Sequence, residues 1–409
     1  MHPPVLLLNY IAAERAMPGA GDALLFELLH AGWFGVPPVE IARLCVELAG
    51  RQYTERKTSL RKLLQEKINM PPLDLFTPAL HEGLRKASEM TEQWIHEPDP
   101  VAWVAAVENW LLQNPLPPVP LIAEGQRPEI EKPEPGFINP LVKRFTMNVT
   151  ALNNYLHCPL EFYYRNILRV PSPGSEAAEF GSAVHYALEA LFGKMLNSPG
   201  TGRQRSFASV ETLIADFERY MQLNRNSFTV LQFEKRLAYG QEVLNKYYAT
   251  YVYSFPTIVS IERMFNIVYN GIPLKGKPDK LEFDGKSVNI VDYKTGNHEK
   301  AKARLQPPHE KEPNGGDYWR QAVFYKILVD NYGQKGWKAA SVEFDFIEPG
   351  ADGQYYREKL FITPADVTTV TQQITEAWQQ IQNQAFYTGC GKANCQWCGF
   401  VKTYGLDKR

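Results

Sequence analysis

Along the first part of the chain, apolar residues recur every three and four positions, as in Ala23–His30 and Val39–Ala49. That is the period of helices with one buried face, and it extends from residue 1 to about Gln113. Trp94, Trp103 and Trp110 are expected in the core of this region. Cys45, on an apolar helical face, is expected to be a buried, inert thiol. The pattern stops at Asn114: from there to about Asn139, dense proline with charges and little apolar periodicity predicts an extended linker. The organisation expected is a helical region over 1–115, a linker over 116–145 and a second domain over 146–409.

In the second domain the periods alternate. Thr150 is placed to cap a short helix, and Pro159 to open the next. After a turn at 171–175, a long helix is predicted from Glu176 to about Leu196, with an apolar stripe of Phe180, Val184, Leu188 and Leu191. His185 and Glu189, four residues apart, share a face beside that stripe. A loop follows at 200–205, then helix from Ser209 to about Tyr251. Strands are predicted over Thr257–Tyr269, Asp279–Phe283 and Val288–Tyr293, the last two joined at Asp284-Gly285 as a hairpin. His298–Gly316 is polar and predicts a solvated loop. Asp317 is placed to cap a helix carrying Gln321 and Tyr325 on one face. A strand pair, Ser341–Ile347 and Gln354–Ile362, precedes a last helix from Thr363-Pro364 to about Gln384. The fold class is α/β: a mixed central sheet flanked by helices, preceded by an all-α region.

Composition narrows the function. At 409 residues the chain is long enough for two domains. Hydrophobic content of 44% and charged content of 22% suit a globular protein. A net charge of −1 excludes a global basic signature, so a nucleic-acid partner would need a local basic groove. The N-terminus lacks the pattern of a signal peptide, and no stretch is long enough to span a membrane. Five unevenly placed cysteines do not resemble a disulfide framework, and a cytoplasmic location is expected. Gly271-Ile-Pro-Leu-Lys-Gly276-Lys277 matches most of a phosphate-binding loop, but Pro278 stands where Ser or Thr is required, in extended sequence.

The chemistry concentrates at the hairpin. Antiparallel pairing brings Asp279 and Asp292 to one end of the sheet, and Lys294, two residues after Asp292, shares that strand's face. Taken alone, Asp and Lys around a hairpin are most often solvated turn residues. Converged, two acids and an ammonium suit a hard divalent cation held by oxygens, with a positive charge beside it.

Pro278-Asp279, a hairpin, and Asp292-Tyr293-Lys294 resemble the signature of the PD-(D/E)XK nuclease superfamily, and Thr295-Gly296 makes it similar to the RecB-type branch. Gly181-Ser-Ala-Val-His185-x-x-Leu-Glu189 resembles that branch's first nuclease motif, and Gln321-x-x-x-Tyr325 its downstream motif. Tyr155-x-x-Cys158-Pro159-x-x-Phe162-Tyr163 resembles the entry of RecB/AddB-type nuclease domains. The resemblance implies a restriction-endonuclease-like fold and a Mg²⁺- or Mn²⁺-dependent DNA nuclease, an exonuclease of repair or recombination. It implies that His185, Asp279, Asp292 and the backbone carbonyl of Tyr293 hold the metal. Lys294 would orient the attacking water or stabilise charge in the transition state, and Gln321 and Tyr325 would position the strand. Glu189 is a candidate second-tier group, or simply a core or surface residue. Lys300, Lys302 and Arg304 are candidate phosphate contacts. The run from Ala23 to Leu44 loosely resembles the second motor half of UvrD-like helicases, which implies a helicase partner or origin. A catalytically silent DNA-binding or assembly module is the alternative.

In the iron–sulfur members of the branch, the cysteine of that entry motif is the first cluster ligand. The resemblance thus implies that Cys158, Cys390, Cys395 and Cys398 hold a 4Fe–4S cluster. The AddB-type pattern continues as Cys-x-x-Cys-x-x-x-x-x-Cys, which Cys395 and Cys398 begin. Tyr404 stands where the last cysteine would fall, and Cys390 would have to substitute for it. Tetrahedral Zn²⁺ and reduced, unligated thiols stay open for the same four residues.

Overall fold

Fourteen residues of α1 (Pro3–Ala16) open the helical part, followed by α2 (Asp22–Leu29), α3 (Pro38–Arg51), α4 (Leu60–Ile68), α5 (Pro78–His96), α6 (Pro100–Gln113) and α7 (Pro135–Lys143). Next come α8 (Val149–His157), α9 (Pro159–Phe162) with a π-helical turn at Tyr163–Ile167, α10 (Glu176–Leu196), α11 (Val210–Leu223) and α12 (Val230–Tyr251). The strands are β1 (Val259–Ile261), β2 (Phe265–Tyr269), β3 (Ile272–Gly276), β4 (Lys280–Asp284), β5 (Ser287–Lys294), β6 (Lys338–Phe346) and β7 (Tyr356–Leu360). Between and after them lie α13 (His298–Ala301), α14 (Asp317–Asp330), α15 (Pro364–Gln382) and α16 (Gln396–Thr403). This computed structural model describes residues 3–52, 58–71, 78–116, 126–172, 174–201 and 204–408.

The chain forms two compact units, one from residues 1–145, 154–174 and 380–409, the other from 146–153 and 175–379. These limits differ from the expected boundaries. Part of the expected linker, 117–125, lies outside the described residues, as do Pro173 of the turn at 171–175 and residues 202–203 of the loop at 200–205. The rest of the linker is structured: Glu129 and Ile130 make bridges to Thr388 and Asp407, and α7 starts at Pro135, where a missing N–H costs the helix nothing.

In the first unit Leu6, Leu7, Tyr10, Ile11, Leu25 and Phe26 are buried, as are Trp94 and Cys45. Trp103 and Trp110 are only half-buried.

In the second unit, five strands run in the order β1-β4-β5-β6-β7, with β5 and β6 parallel and the other pairs antiparallel; β2 and β3 form a separate hairpin. The parallel pair is joined through α14, since parallel strands need a crossover. α10 forms as its sequence predicts. The Ser175 hydroxyl accepts from Ala178 N, and the Phe180, Val184, Leu188, Leu191 stripe is buried against α11, α12 and one sheet face.

Several expectations are corrected. Asn148, not Thr150, accepts from a first-turn amide of α8, that of Ala151, at 2.8 Å. Gly316 is the N-cap of α14, while Asp317 is drawn into a fork with Arg304. The helix expected over Ser209–Tyr251 breaks at residues 224–229, where Thr229 and Gln232 form a capping box that starts α12. The strand expected over Thr257–Tyr269 breaks at Glu262, whose φ of +47° turns the chain out of the large sheet. His298–Gly316 is not simply a solvated loop: α13 forms there, and the His298 ring is buried, stacked on Tyr356 at 4.0 Å. The hairpin register pairs Asp284 with Ser287, so the two loop residues are Gly285 and Lys286, with the positive φ of +60° on the glycine.

Candidate active site

Register sets the geometry. β4 and β5 pair up to Lys280↔Val291, so Asp279 and Asp292 stand one step beyond, at the same end of the sheet. The Asp279 carboxylate is held from two sides: Oδ2 accepts from Tyr293 N at 2.7 Å, and Oδ1 lies 3.2 Å from Nδ1 of His185 on α10. Its own carbonyl accepts from Glu262 N at 2.9 Å. In a strand, N–H and C=O of one residue face the same neighbour, so the Tyr293 carbonyl is on the Asp279 side of β5. Glu189 and Glu262 line a cleft with His185 and Asp279.

On the face toward α14, Lys294 Nζ lies 2.5 Å from Asp292 Oδ2 and donates to Gln321 Oε1 at 3.0 Å. Gln321 Nε2 in turn donates to Asp292 Oδ1 at 2.9 Å and to the Tyr325 hydroxyl at 3.0 Å. One amide thus uses its acceptor on the ammonium and both donors on acid and phenol. This fixes the Asp292–Lys294 pair relative to α14.

The electrostatics are those of crowded acids. Asp292 is 4% exposed. Burial pushes its carboxyl above the usual range, the Lys294 charge pulls it back, and the Asp279 charge pushes it up again. For His185, burial disfavours the charged ring, but the hydrogen bond and charge of Asp279 outweigh it, and the net shift is upward. Asp292 Oδ2 is buried and, apart from its ion-pair contact with Lys294, has no hydrogen bond. Two carboxylates, one with an under-satisfied buried oxygen, an imidazole and a strand carbonyl form a donor set that suits Mg²⁺ or Mn²⁺.

The structure brings His185, Asp279, Asp292, Tyr293, Lys294, Gln321 and Tyr325 together in the second unit. It treats the expected phosphate contacts differently. Lys302 pairs with Glu299 at 2.7 Å, and Arg304 forks Asp317 while its guanidinium lies 3.7 Å over the Tyr318 ring. Only Lys300 of the three extends its charge with no ion pair among the described residues. Tyr318 was missed: its ring lies 4.4 Å from Lys294 Nζ and stacks on Phe344 at 5.3 Å. Its spacing, three residues before Gln321 and seven before Tyr325, was the available signal.

Cys158, Cys390, Cys395 and Cys398 gather in the first unit, their sulfurs all within 4.8 Å of one another.

Carboxylates at the matching ends of adjacent strands, a lysine two residues on, and a helix-borne histidine and glutamine make a candidate site for hydrolysis assisted by a metal and a lysine. The chain belongs to the PD-(D/E)XK nuclease superfamily, whose family model matches residues 146–403. The five-stranded mixed sheet with its flanking helices is consistent with that fold. No curated protein matches the chain. Among solved structures, a Eubacterium rectale protein with a provisional exonuclease assignment is similar over 66% of this chain and 93% of its own, at 12% identity and a TM-score of 0.41. The protein SSO0001 is similar over 48% and 87%, at 14% identity and a TM-score of 0.22. No described helix is long and apolar enough to cross a membrane.

Proposed function

We propose that this nuclease is a Mg²⁺- or Mn²⁺-dependent deoxyribonuclease, an exonuclease of cytoplasmic DNA repair or recombination. The observation that carries the reading is the closed set of contacts joining Asp292, Lys294, Gln321 and Tyr325, one residue from the Asp279–Tyr293 hydrogen bond. Asp279, Asp292, His185 and the Tyr293 carbonyl would hold the cation. When bound, the cation polarises a phosphoryl oxygen and lowers the pKa of its water. Lys294 offers its ammonium to the charge that develops on the phosphoryl oxygens. Gln321 bridges that ammonium and Asp292 through hydrogen bonds, and its amide also donates to the Tyr325 hydroxyl one helical turn on. The resemblance of the first helices to a helicase segment supports a helicase partner.

The test is cleavage of end-labelled linear and circular DNA, single- and double-stranded, with Mg²⁺, Mn²⁺ or EDTA. Metal-dependent loss of label from linear substrates is expected, abolished by Asp279→Ala, Asp292→Ala or Lys294→Ala with the fold intact. His185→Ala is expected to raise the metal concentration required. Near-wild-type cleavage by folded Asp292→Ala overturns the site; no cleavage by the wild type identifies a silent DNA-binding module instead.

A further inference from the structure

We propose that Cys158, Cys390, Cys395 and Cys398 hold a single tetrahedral zinc ion, and not the four-iron cluster that the family resemblance implies. The distances between the sulfurs carry the argument. Four thiolates about 2.3 Å from one central ion form a tetrahedron whose edges are about 3.8 Å. Here Cys158 Sγ and Cys398 Sγ are 3.9 Å apart, Cys390 Sγ and Cys398 Sγ 3.8 Å, and no pair of the four exceeds 4.8 Å. A four-iron cluster binds each thiolate to a different iron, around a core of four irons and four sulfides. At this spacing the four sulfurs already match one central ion, whereas a core of eight atoms would require them to spread apart.

The packing is close on the Gly389 side. A Cβ on Gly389 would lie 2.5 Å from Cys398 Sγ, 3.0 Å from Pro128 Cγ and 3.1 Å from Leu160 Cδ1. Cys158, Cys395 and Cys398 are buried and Cys390 is half-buried. Cys398 Sγ thus sits hard against the backbone at Gly389.

The local backbone is prepared for thiolates. Cys390 N donates to Cys158 Sγ at 3.3 Å. Cys395 is the N-cap of α16 yet its side chain caps nothing, and Cys398 sits in that helix's first turn, so both sulfurs lie at the positive end of a helix. Cys395-x-x-Cys398 has the spacing of the short ligand pair of structural zinc sites, and Tyr404 stands where the AddB-type iron–sulfur pattern needs its last cysteine.

The experiment is metal and sulfide analysis of the full chain, purified anaerobically without affinity metals and again after iron–sulfide reconstitution. One zinc per chain with no acid-labile sulfide in both preparations is expected. Replacement by Co²⁺ should give the intense charge-transfer and visible bands of tetrahedral tetrathiolate cobalt, weakened by about a quarter in the charge-transfer region and shifted in the visible when Cys398→Ser removes one of the four thiolates. About four irons and four sulfides per chain overturn the proposal, as does a single iron without sulfide. Metal-free protein that takes up neither zinc nor cobalt overturns it as well. None of these readouts depends on DNA cleavage, so the outcome is separate from that of the nuclease reading.

Discussion

Replacing Gln321 by leucine tests whether the active-site lysine works alone or as part of an assembly. The side chains are similar in size, so α14 keeps its packing while three hydrogen bonds disappear. Two of these reach charged groups, Lys294 Nζ at 3.0 Å and Asp292 Oδ1 at 2.9 Å. Hydrogen bonds to charged groups contribute about 1.5–3 kcal/mol each, and Asp292 is too buried for water to replace its lost donor freely. Lys294 is less confined and recovers part of its loss through its Asp292 contact. A net rise of about 3 kcal/mol in the barrier is expected, which is a roughly hundredfold slower chemical step. Single-turnover cleavage of end-labelled DNA at saturating metal measures it, with thermal unfolding in parallel. A loss confined to the chemical step marks a role through the lysine and the acid, and a parallel rise in KM for DNA marks the strand-positioning role that the resemblance implies. A folded variant less than about threefold slower refutes the assembly and leaves Lys294 positioned by its own strand.

Two further outcomes concern stability. Burial raises the Asp22 carboxyl to about 6, against hydrogen bonds from Leu60 N and Arg61 N that lower it. The folded chain therefore holds this proton more tightly than the unfolded one, and stability is lost as pH rises from about 4 through 6. Asp22→Asn should gain about 2–3 kcal/mol over the wild type at pH 8 and almost nothing at pH 4 by urea unfolding; an equal gain at both refutes the titration. Asp345 is 1% exposed and keeps Arg357 at 3.1 Å and the Tyr247 hydroxyl at 2.6 Å. Arg357→Met should cost about 3–5 kcal/mol by leaving that acid unpaired, and Asp345→Asn in the same chain should restore part of it; no rescue refutes the charge argument.

What was legible in the sequence was whatever depends on period and register. The α10 stripe, the β4–β5 hairpin, and the convergence of Asp279, Asp292 and Lys294 follow from residues a few positions apart. Asn270-Gly271 was equally legible and went unread. Both residues have positive φ, +50° and +78°, and they join β2 to β3 in a two-residue hairpin through the stretch that imitates a phosphate loop. The break at Glu262 left no such mark, because nothing in its neighbours' polarity announces a left-handed backbone. The partner of Arg304 was hidden too, since pairing with Asp317 depends on how the polar stretch after β5 folds back on α14; Lys302 pairs with Glu299 only three residues away, a spacing that the sequence does show. The gathering of cysteines 232 residues apart came through family resemblance and not through pattern.

The two units divide the chain at 145/146, 153/154, 174/175 and 379/380, so neither is a continuous piece of sequence. A truncation before residue 146 therefore keeps every residue of the second unit but cuts through the first. It leaves residues 154–174 and 380–409 without the larger part of their own unit, including the buried core of α1 and α2. The thiolate site, shared between those two late segments, stays in the shortened chain but loses the scaffold around it. In genetic terms the units cannot be shuffled as cassettes, since a crossover at any one boundary splits at least one of them. During synthesis the first unit must also wait for residues 380–409, which are made long after β4 and β5.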